Sequence, residues 1–409
     1  RSGLTSDDPS VRREAVRQLL DNPDPAIAEQ IGGLIDEEPR ADIRRDMALV
    51  LGLSRLQSEA AAERLLALES LRGSLADRVR NEVRALANDD PDPAVRAEAA
   101  QMLASIEERR ELWGFAEQVF FGLSMGSVLM LAAFGLAITF GVMGVINMAH
   151  GELIMLGAYT TYVVQQLMPN HIEYSILVAI PAAFLVAGSF GVAIERGIIR
   201  FLYGRPLETL LATFGLSLIL QQLVRTVFSP LNRRVSTPDW MAGSIEVNAA
   251  FSLTLNRLYV IAFALLVFLG LMAIFKRTTL GLRVRAVSQN RAMARAVGVS
   301  SARIDALTFG LGAGVAGLAG VALSQLTNVG PNLGQGYIID SFLVVVFGGV
   351  GNLWGTLVGG LSLGVLNKFL EPQTGAVLAK VLVLVFIILF IQKRPQGLFP
   401  QRGRAAAEG

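Results

Sequence analysis

The stretch Gln118–Ala149, QVFFGLSMGSVLMLAAFGLAITFGVMGVINMA, runs for 32 residues without a single charge. A helix needs about 20 apolar residues to cross the hydrocarbon core of a bilayer, so this stretch is long enough for one span and the start of a turn. Downstream, the same reading gives Leu153–Met168, Tyr174–Ile194, Thr209–Val224, Leu258–Phe275, Ala306–Gln325, Ile338–Val350, Trp354–Leu370 and Ala376–Gln392. That makes nine candidate spans, of which Ile338–Val350 is short enough to be re-entrant. Lys380, near one end of the last span, is expected to snorkel. The whole chain is only 17% charged, with a mean hydropathy of +0.50, against about 25% charged for soluble domains. The expected fold is all-α, with a polytopic helical membrane domain over residues 113–400 and a cytoplasmic tail, 401–409.

Upstream of that stretch the composition changes. Residues 1–112 carry 16 Arg, no Lys and 23 acidic residues, a net of −7, whereas the remaining 297 residues carry 20 basic and 11 acidic groups, a net of +9. The phrase Asp8-Pro9-Ser10-Val11-Arg12-Arg13-Glu14-Ala15 returns as Asp92-Pro93-Ala94-Val95-Arg96-Ala97-Glu98-Ala99, with a weaker copy from Asp42 to Ala48. The offset of 84 residues is twice 42, within the 40–47-residue period of HEAT-type repeats. Asp-Pro ends one helix and starts the next, because proline is tolerated in a first turn. Residues 1–112 are therefore expected to form a HEAT-like helical domain, serving either as a spacer or as a docking surface. The first residue is Arg1 with no apolar leader, so a preceding segment is expected to have been lost.

Loop charges set the expected topology. The 276–303 loop holds Lys276, Arg277, Arg283, Arg285, Arg291, Arg295 and Arg303 with no acid, and the tail holds Lys393, Arg394, Arg402 and Arg404. Both are expected inside, as is the 195–208 loop with Arg196, Arg200 and Arg205. Counting back through nine spans puts the N-terminal domain outside and the C-terminus in the cytoplasm. The 229–256 loop, with Arg233 and Arg234 against Asp239 and Glu246, must then be external. Gly351, Gly355 and Gly359, with the pairs Gly360/Gly364, Gly310/Gly314 and Gly122/Gly126, have the spacing of closely packed membrane helices.

Within the basic loop, Ser288 is placed as an N-cap and Gly298 as a C-terminal stop, with about two turns of helix between them. Ala292, Met293, Ala296 and Val297 form an apolar stripe, while Arg291 and Arg295 share another face. Such a helix fits a groove on a soluble partner or an anionic lipid surface. Cysteine is absent and His150 and His171 are the only histidines, so no disulfide framework, metal cluster or histidine-based catalysis is expected. Gly-Lys never occurs, so there is no phosphate-binding P-loop.

Three separated motifs resemble the permeases of the branched-chain amino acid ABC importer family. They are Gly281-Leu282-Arg283 through Gly298-Val299-Ser300, Ile146-Asn147-Met148-Ala149-His150-Gly151-Glu152, and Phe347-Gly348-Gly349-Val350-Gly351-Asn352-Leu353-Trp354-Gly355-Thr356. The resemblance covers roughly residues 115–400. The wording from Thr209 to Gln222, with the extra N-terminal helical domain, is most similar to that family's urea permease branch, although the N-terminal domain is shorter than is usual there. The resemblance implies a non-catalytic subunit of a bacterial inner-membrane importer. It further implies a second permease subunit, two cytoplasmic ATPases that bind the ATP, an external solute-binding protein and no nucleic acid. No cofactor is expected on the chain itself. Coupling to the ATPases is expected through Gly281, Arg285, Gln289, Arg291, Ala292, Met293, Arg295, Ala296 and Gly298.

Urea is planar and uncharged, offering four N–H donors and one carbonyl, so a selective path needs amide, hydroxyl or carboxylate partners. Polar groups inside spans are costly and hence candidates. Asn147, His150 and Glu152 stand where the first span meets the second, and Thr209, Thr213, Ser217 and Gln221 recur every fourth residue on one helix face. These seven either line the path or bond helix to helix. Asn328 and Asp340 flank a later span, Asp340 being expected as a solvated or capping group. The solutes considered are urea first and branched-chain or related amino acids second. The remaining alternatives are an ATP-independent channel for a small neutral solute and a membrane-anchored scaffold.

Overall fold

The structure is a computed structural model, and it describes residues 3–21 and 25–400. Arg1 and the basic tail with Arg402 and Arg404 lie outside the described residues. The chain forms two compact units, one of residues 1–117 with 246–252 and the other of residues 118–245 with 253–409.

The first unit contains α1 (Pro9–Asp21), α2 (Pro25–Leu34), α3 (Ala41–Arg55), α4 (Ala61–Ser70), α5 (Asp77–Asp89) and the beginning of α6 (Pro93–Met143). The repeated phrase does what its chemistry dictates. Asp8 accepts from the Ser10 amide at 2.8 Å and Asp92 from the Ala94 amide at 2.7 Å, each ahead of a proline that begins the helix. The arginine of the phrase reaches back to satisfy the carbonyls of the preceding turn. Arg12 donates to Ser6 O and Asp7 O, and Arg96 to Asp90 O and Pro91 O. Arg64, outside the phrase, makes the same reach to Ser58 O and Glu59 O. Two of these arginines also hold a carboxylate 26 residues on: Arg12 with Glu38 at 2.8 Å, and Arg64 with Asp90 at 2.8 and 2.9 Å. The Arg12 bond, against the cost of burial, keeps the Glu38 carboxyl below its ordinary 4.5. Val79, Val83, Val95 and Ala99 lie in the apolar cluster beneath.

In the second unit α6 continues to Met143 and is followed by α7 (His150–Leu167), α8 (Ile172–Gly197) and α9 (Pro206–Phe228). A hairpin, β1 (Ser244–Asn248) and β2 (Phe251–Thr254), most of which belongs to the first unit, precedes α10 (Leu255–Arg277), α11 (Thr279–Gln289) and α12 (Arg291–Ala296) of the second. Then come α13 (Ser301–Ser324), α14 (Gln335–Gly348), α15 (Leu353–Thr374) and α16 (Ala376–Lys393). The hairpin is the only sheet among the described residues, so the expected all-α class holds with that one addition.

Nine helices match the nine expected spans, but among the described residues only seven are long and apolar enough to cross a bilayer. The two exceptions have different causes. The α14 helix has 14 residues. The α7 helix is long enough but carries His150, Glu152, Gln165 and Gln166. It tolerates His150, Glu152 and Gln165 because protein encloses them, the helix being packed against α8 and α13, while Gln166 is exposed near its end. Burial grades the remaining helices: 83% of the apolar window of α13 is enclosed, against 17% for α16. The uncharged stretch does not run as one helix to Ala149. It stops at Met143, where Gly144 turns the backbone with φ +66°.

Glycine sets one of the seams. A Cβ on Gly126 would stand 2.8 Å from Gly360 O, and one on Gly360 2.9 Å from Met130 Cβ. Helices α6 and α15 approach at the Gly122/Gly126 and Gly360/Gly364 pairs, as the spacing predicts. The expectation for Asp340 is corrected. Asp340 lies within α14 and Lys380 within α16, and they form an ion pair at 3.1 Å. Asp340 is therefore neither a cap nor a freely solvated group, and Lys380 reaches a carboxylate.

Candidate functional site

The break between α6 and α7 places non-helical backbone inside the helical unit, which is tolerated only where protein covers it. Here it is covered, with Asn147 and Ala149 buried. Asn147 Oδ1 accepts from the Ala149 amide at 3.0 Å and shapes the turn, while its Nδ2 is buried without a partner. His150 Nε2 lies 2.8 Å from the Ala132 carbonyl. A carbonyl only accepts, so Nε2 carries the proton and Nδ1, buried and unpartnered, is the free acceptor. Gly135 makes room for this ring, because a Cβ there would stand 2.7 Å from His150 Cε1.

The polar stripe of α9 faces this turn. Gln221 Nε2 donates to Glu152 Oε1 at 2.7 Å and to Ser217 Oγ at 3.3 Å. Thr213 Oγ1 accepts from the Met148 amide at 3.1 Å and donates to Thr209 O at 2.8 Å. Thr209 Oγ1 donates to Arg205 O at 2.9 Å. All four stripe residues are buried within the chain. The structure thus brings Glu152 against Gln221 and the Met148 amide against Thr213, while the side chains of Asn147 and His150 bond to Ala149 and Ala132 instead. Thr209 is occupied with the Arg205 and Leu202 carbonyls ahead of α9. Among the described residues no Lys or Arg bonds to Asn147, His150, Glu152, Thr213, Ser217 or Gln221, so the cluster holds amide, hydroxyl, imidazole and carboxylate groups without a cation.

The basic loop is built in two steps. Thr278 caps α11 by accepting from the Gly281 amide at 3.3 Å. Gly281 is buried against the backbone of Phe275, and Arg285 donates to the Phe275 carbonyl. Gln289 ends α11, exposed. Ser288 is not the cap of the next helix, since it lies inside α11. Asn290 is the cap, accepting from the Met293 amide at 2.9 Å. Both residue types can cap, but the apolar Val284 and Val287 are buried and hold α11 helical through Gln289. The expected stop is Gly298, with φ +87°. Its amide bonds Arg295 O at 3.0 Å and the Val299 amide bonds Ala294 O at 2.9 Å, a Schellman closure.

The two arginine side chains of α12 turn back toward their own unit. Arg291 makes a bidentate pair with buried Asp305 at 2.6 and 3.1 Å and lies 5.0 Å above the Tyr203 ring, and Arg295 bonds Ser301 at 2.7 Å. Tyr203 in turn donates to buried Glu195 at 3.1 Å. The apolar stripe faces outward: Met293 is 61% exposed and Val297 72%, with Ala292 and Ala296 exposed beside them. Ala294, outside the stripe, is the residue that packs inward. Asp305, Tyr203 and Glu195 were not foreseen. The available signal was an acid on the rim of an apolar run, at the start of the span Ala306–Gln325.

With this geometry in view, residues 118–391 match the family model of the branched-chain amino acid transport system permease component. This chain belongs to that family. The match begins where the second compact unit begins. The permease is 30% identical over 297 residues to the high-affinity branched-chain amino acid transport system permease protein BraD of Pseudomonas aeruginosa, covering 70% of this chain and 96% of that one. It is 31% identical over 295 residues to the corresponding protein LivH of Salmonella typhimurium, covering 69% and 95%. It is also 27% identical over 286 residues to the ribose import permease protein RbsC of Escherichia coli, covering 66% and 84%. No solved structure matches the permease. The family's members are membrane permease subunits and not enzymes, so this permease is a multi-span transport component.

Proposed function

We propose that this permease forms the urea path of an ATP-driven importer. The observation that carries this reading is the cation-free set of Glu152, Gln221 and Ser217, with Thr213 on the Met148 amide and the unpartnered Asn147 Nδ2 in the same turn. It offers acceptors for N–H groups and donors for a carbonyl, which is urea's complement, and nothing to neutralise a carboxylate. Two further facts bear on it. The relatives are covered almost end to end by about 70% of this chain, so they align without most of the first unit. Relatives at 27–31% identity also carry different solutes in their names, amino acids and ribose, so membership leaves the solute open.

The basic loop faces the cytoplasm in this reading, and α12 docks on a separate ATPase through Met293 and Val297. Two ATPases, a second permease subunit and an external solute-binding protein complete the importer. The first unit is a HEAT-like domain outside the cell. The second reading, branched-chain amino acids, is favoured by the relatives' names. Labelled uptake into vesicles holding the complete transporter separates the two. ATP-dependent entry of urea but not leucine is expected, and the reverse would sink the urea reading.

A further inference from the structure

At the end of α13 away from the basic loop, a cavity of about 520 Å³ opens between residues 234–237 and 324–328. Its lining is polar: Ser236, Thr237, Ser324, Gln325, Thr327 and Asn328, with Arg234 the one charged residue. Ser324 and Gln325 are the buried members, and Thr327 and Asn328 are exposed.

Gln325 is 7% exposed, and its Oε1 is buried without a hydrogen-bond partner. Its amide orientation is fixed by its neighbour. Ser324 Oγ spends its proton on Val321 O at 2.7 Å, so the Gln325 atom 3.4 Å from that oxygen must be the donating nitrogen. The remaining atom is therefore a carbonyl oxygen, an acceptor lacking a donor. Beside it, Asn256 Nδ2 donates to the Gln325 backbone carbonyl at 2.5 Å, which leaves Asn256 Oδ1 as a second buried, unpaired acceptor. A buried acceptor left unpaired is unfavourable, and the one on Gln325, which lines the cavity, calls for a ligand that donates.

The opposite wall is held in place. Gln165, in the last turn of α7, donates to Ser236 O at 2.8 Å and accepts from the Ser236 amide at 2.9 Å. Arg233 and Val329 exchange backbone bonds at 2.7 and 2.8 Å, tying the two walls together. The cavity is therefore formed before any ligand arrives.

We propose that this cavity is a second solute subsite, taking the amide end of urea. The Gln325 carbonyl accepts from one NH₂ group and the hydroxyl of Thr237 donates to the solute carbonyl, while the Thr327 hydroxyl already donates to Leu323 O at 3.2 Å. It lies near the last turn of α7, whose first turn carries the network described above. Glu152 at the network and Gln165 at the cavity wall are 13 residues apart, about 20 Å along that helix. In the topology proposed here this end faces outward, making the cavity the entry subsite.

The proposal rests on urea being the solute, and the experiment separates the two claims. Labelled-urea uptake is measured in vesicles holding the complete transporter with the unsubstituted chain, Gln325→Leu or Thr237→Val, alongside membrane abundance. Removing one hydrogen bond to the solute is expected to raise KM about tenfold for Gln325→Leu and about threefold for Thr237→Val, with maximal rate kept. If Gln325→Leu fails to accumulate, Gln325→Asn, which withdraws the carbonyl, replaces it with the same expectation. An unchanged KM in the variants, with urea still imported, overturns the subsite and leaves the solute reading standing. ATP-driven import of leucine but not urea by the unsubstituted transporter overturns both.

Discussion

At the scale of single residues, the buried charges separate into those that shape the fold and those available to a solute. Arg64 and Asp90 are both enclosed and paired, Arg64 also donating to two turn carbonyls and Asp90 accepting from the Asp92 amide. Arg64→Ala strands a buried carboxylate and is expected to cost the first unit about 3 kcal/mol, seen as a lower denaturant midpoint. Glu38 adds a pH dependence. Its folded pKa is depressed by the Arg12 bond, so its contribution is complete above 4.5 and is lost as the pH falls below that value and through the lowered one. Thermal melts of the chain between pH 6 and pH 3 are expected to show this decline, and Glu38→Gln to flatten it. Glu152 belongs to the other group, since its bond to Gln221 joins α7 to α9 and involves no cation. Gln221→Ala is expected to reduce urea uptake several-fold at unchanged membrane abundance. Full uptake in that variant would remove the network from the path.

At the scale of elements, what was legible in the sequence was local chemistry. Asp8-Pro9 and Asp92-Pro93 announce helix starts because the cap and the fixed proline φ act within four residues. Gly298 announces a helix end because only glycine takes that backbone turn without strain. The α9 stripe was legible because it repeats every fourth residue. What it faces was not, since Glu152 lies 69 positions away in the chain. The same separation hid Tyr203 and Glu195 behind Arg291, and the choice between Ser288 and Asn290 turned on the packing of Val287. The exposed face of α12 leads to a prediction for the element as a whole. Met293→Asp places a charge on the proposed docking face without touching a buried contact. It is expected to abolish ATP-driven uptake while solute-protein binding to the complex persists, measured as uptake beside a pull-down.

For the molecule as a whole, orientation is the open physical question, and the chain is suited to answering it because it contains no cysteine. Ser288 and Asn170 lie at segments expected on opposite sides of the membrane. Single cysteines there are expected to label from opposite faces with an impermeant maleimide, Ser288→Cys only from the cytoplasmic side in inverted vesicles. Labelling of both from one face would reverse the charge-based topology and, with it, the outward position assigned to the Gln325 cavity.

The polarity of α7 has a consequence for how the protein is made. A segment bearing Glu152, His150 and two glutamines has little tendency to leave the translocon for lipid by itself. The helices that shield it, α8 and above all α13, are synthesised later. The nascent chain must therefore keep α7 waiting at the insertion site or at the bilayer rim until α13 emerges to enclose it. Chains truncated between α7 and α13 should be the ones the cell's membrane proteases recognise.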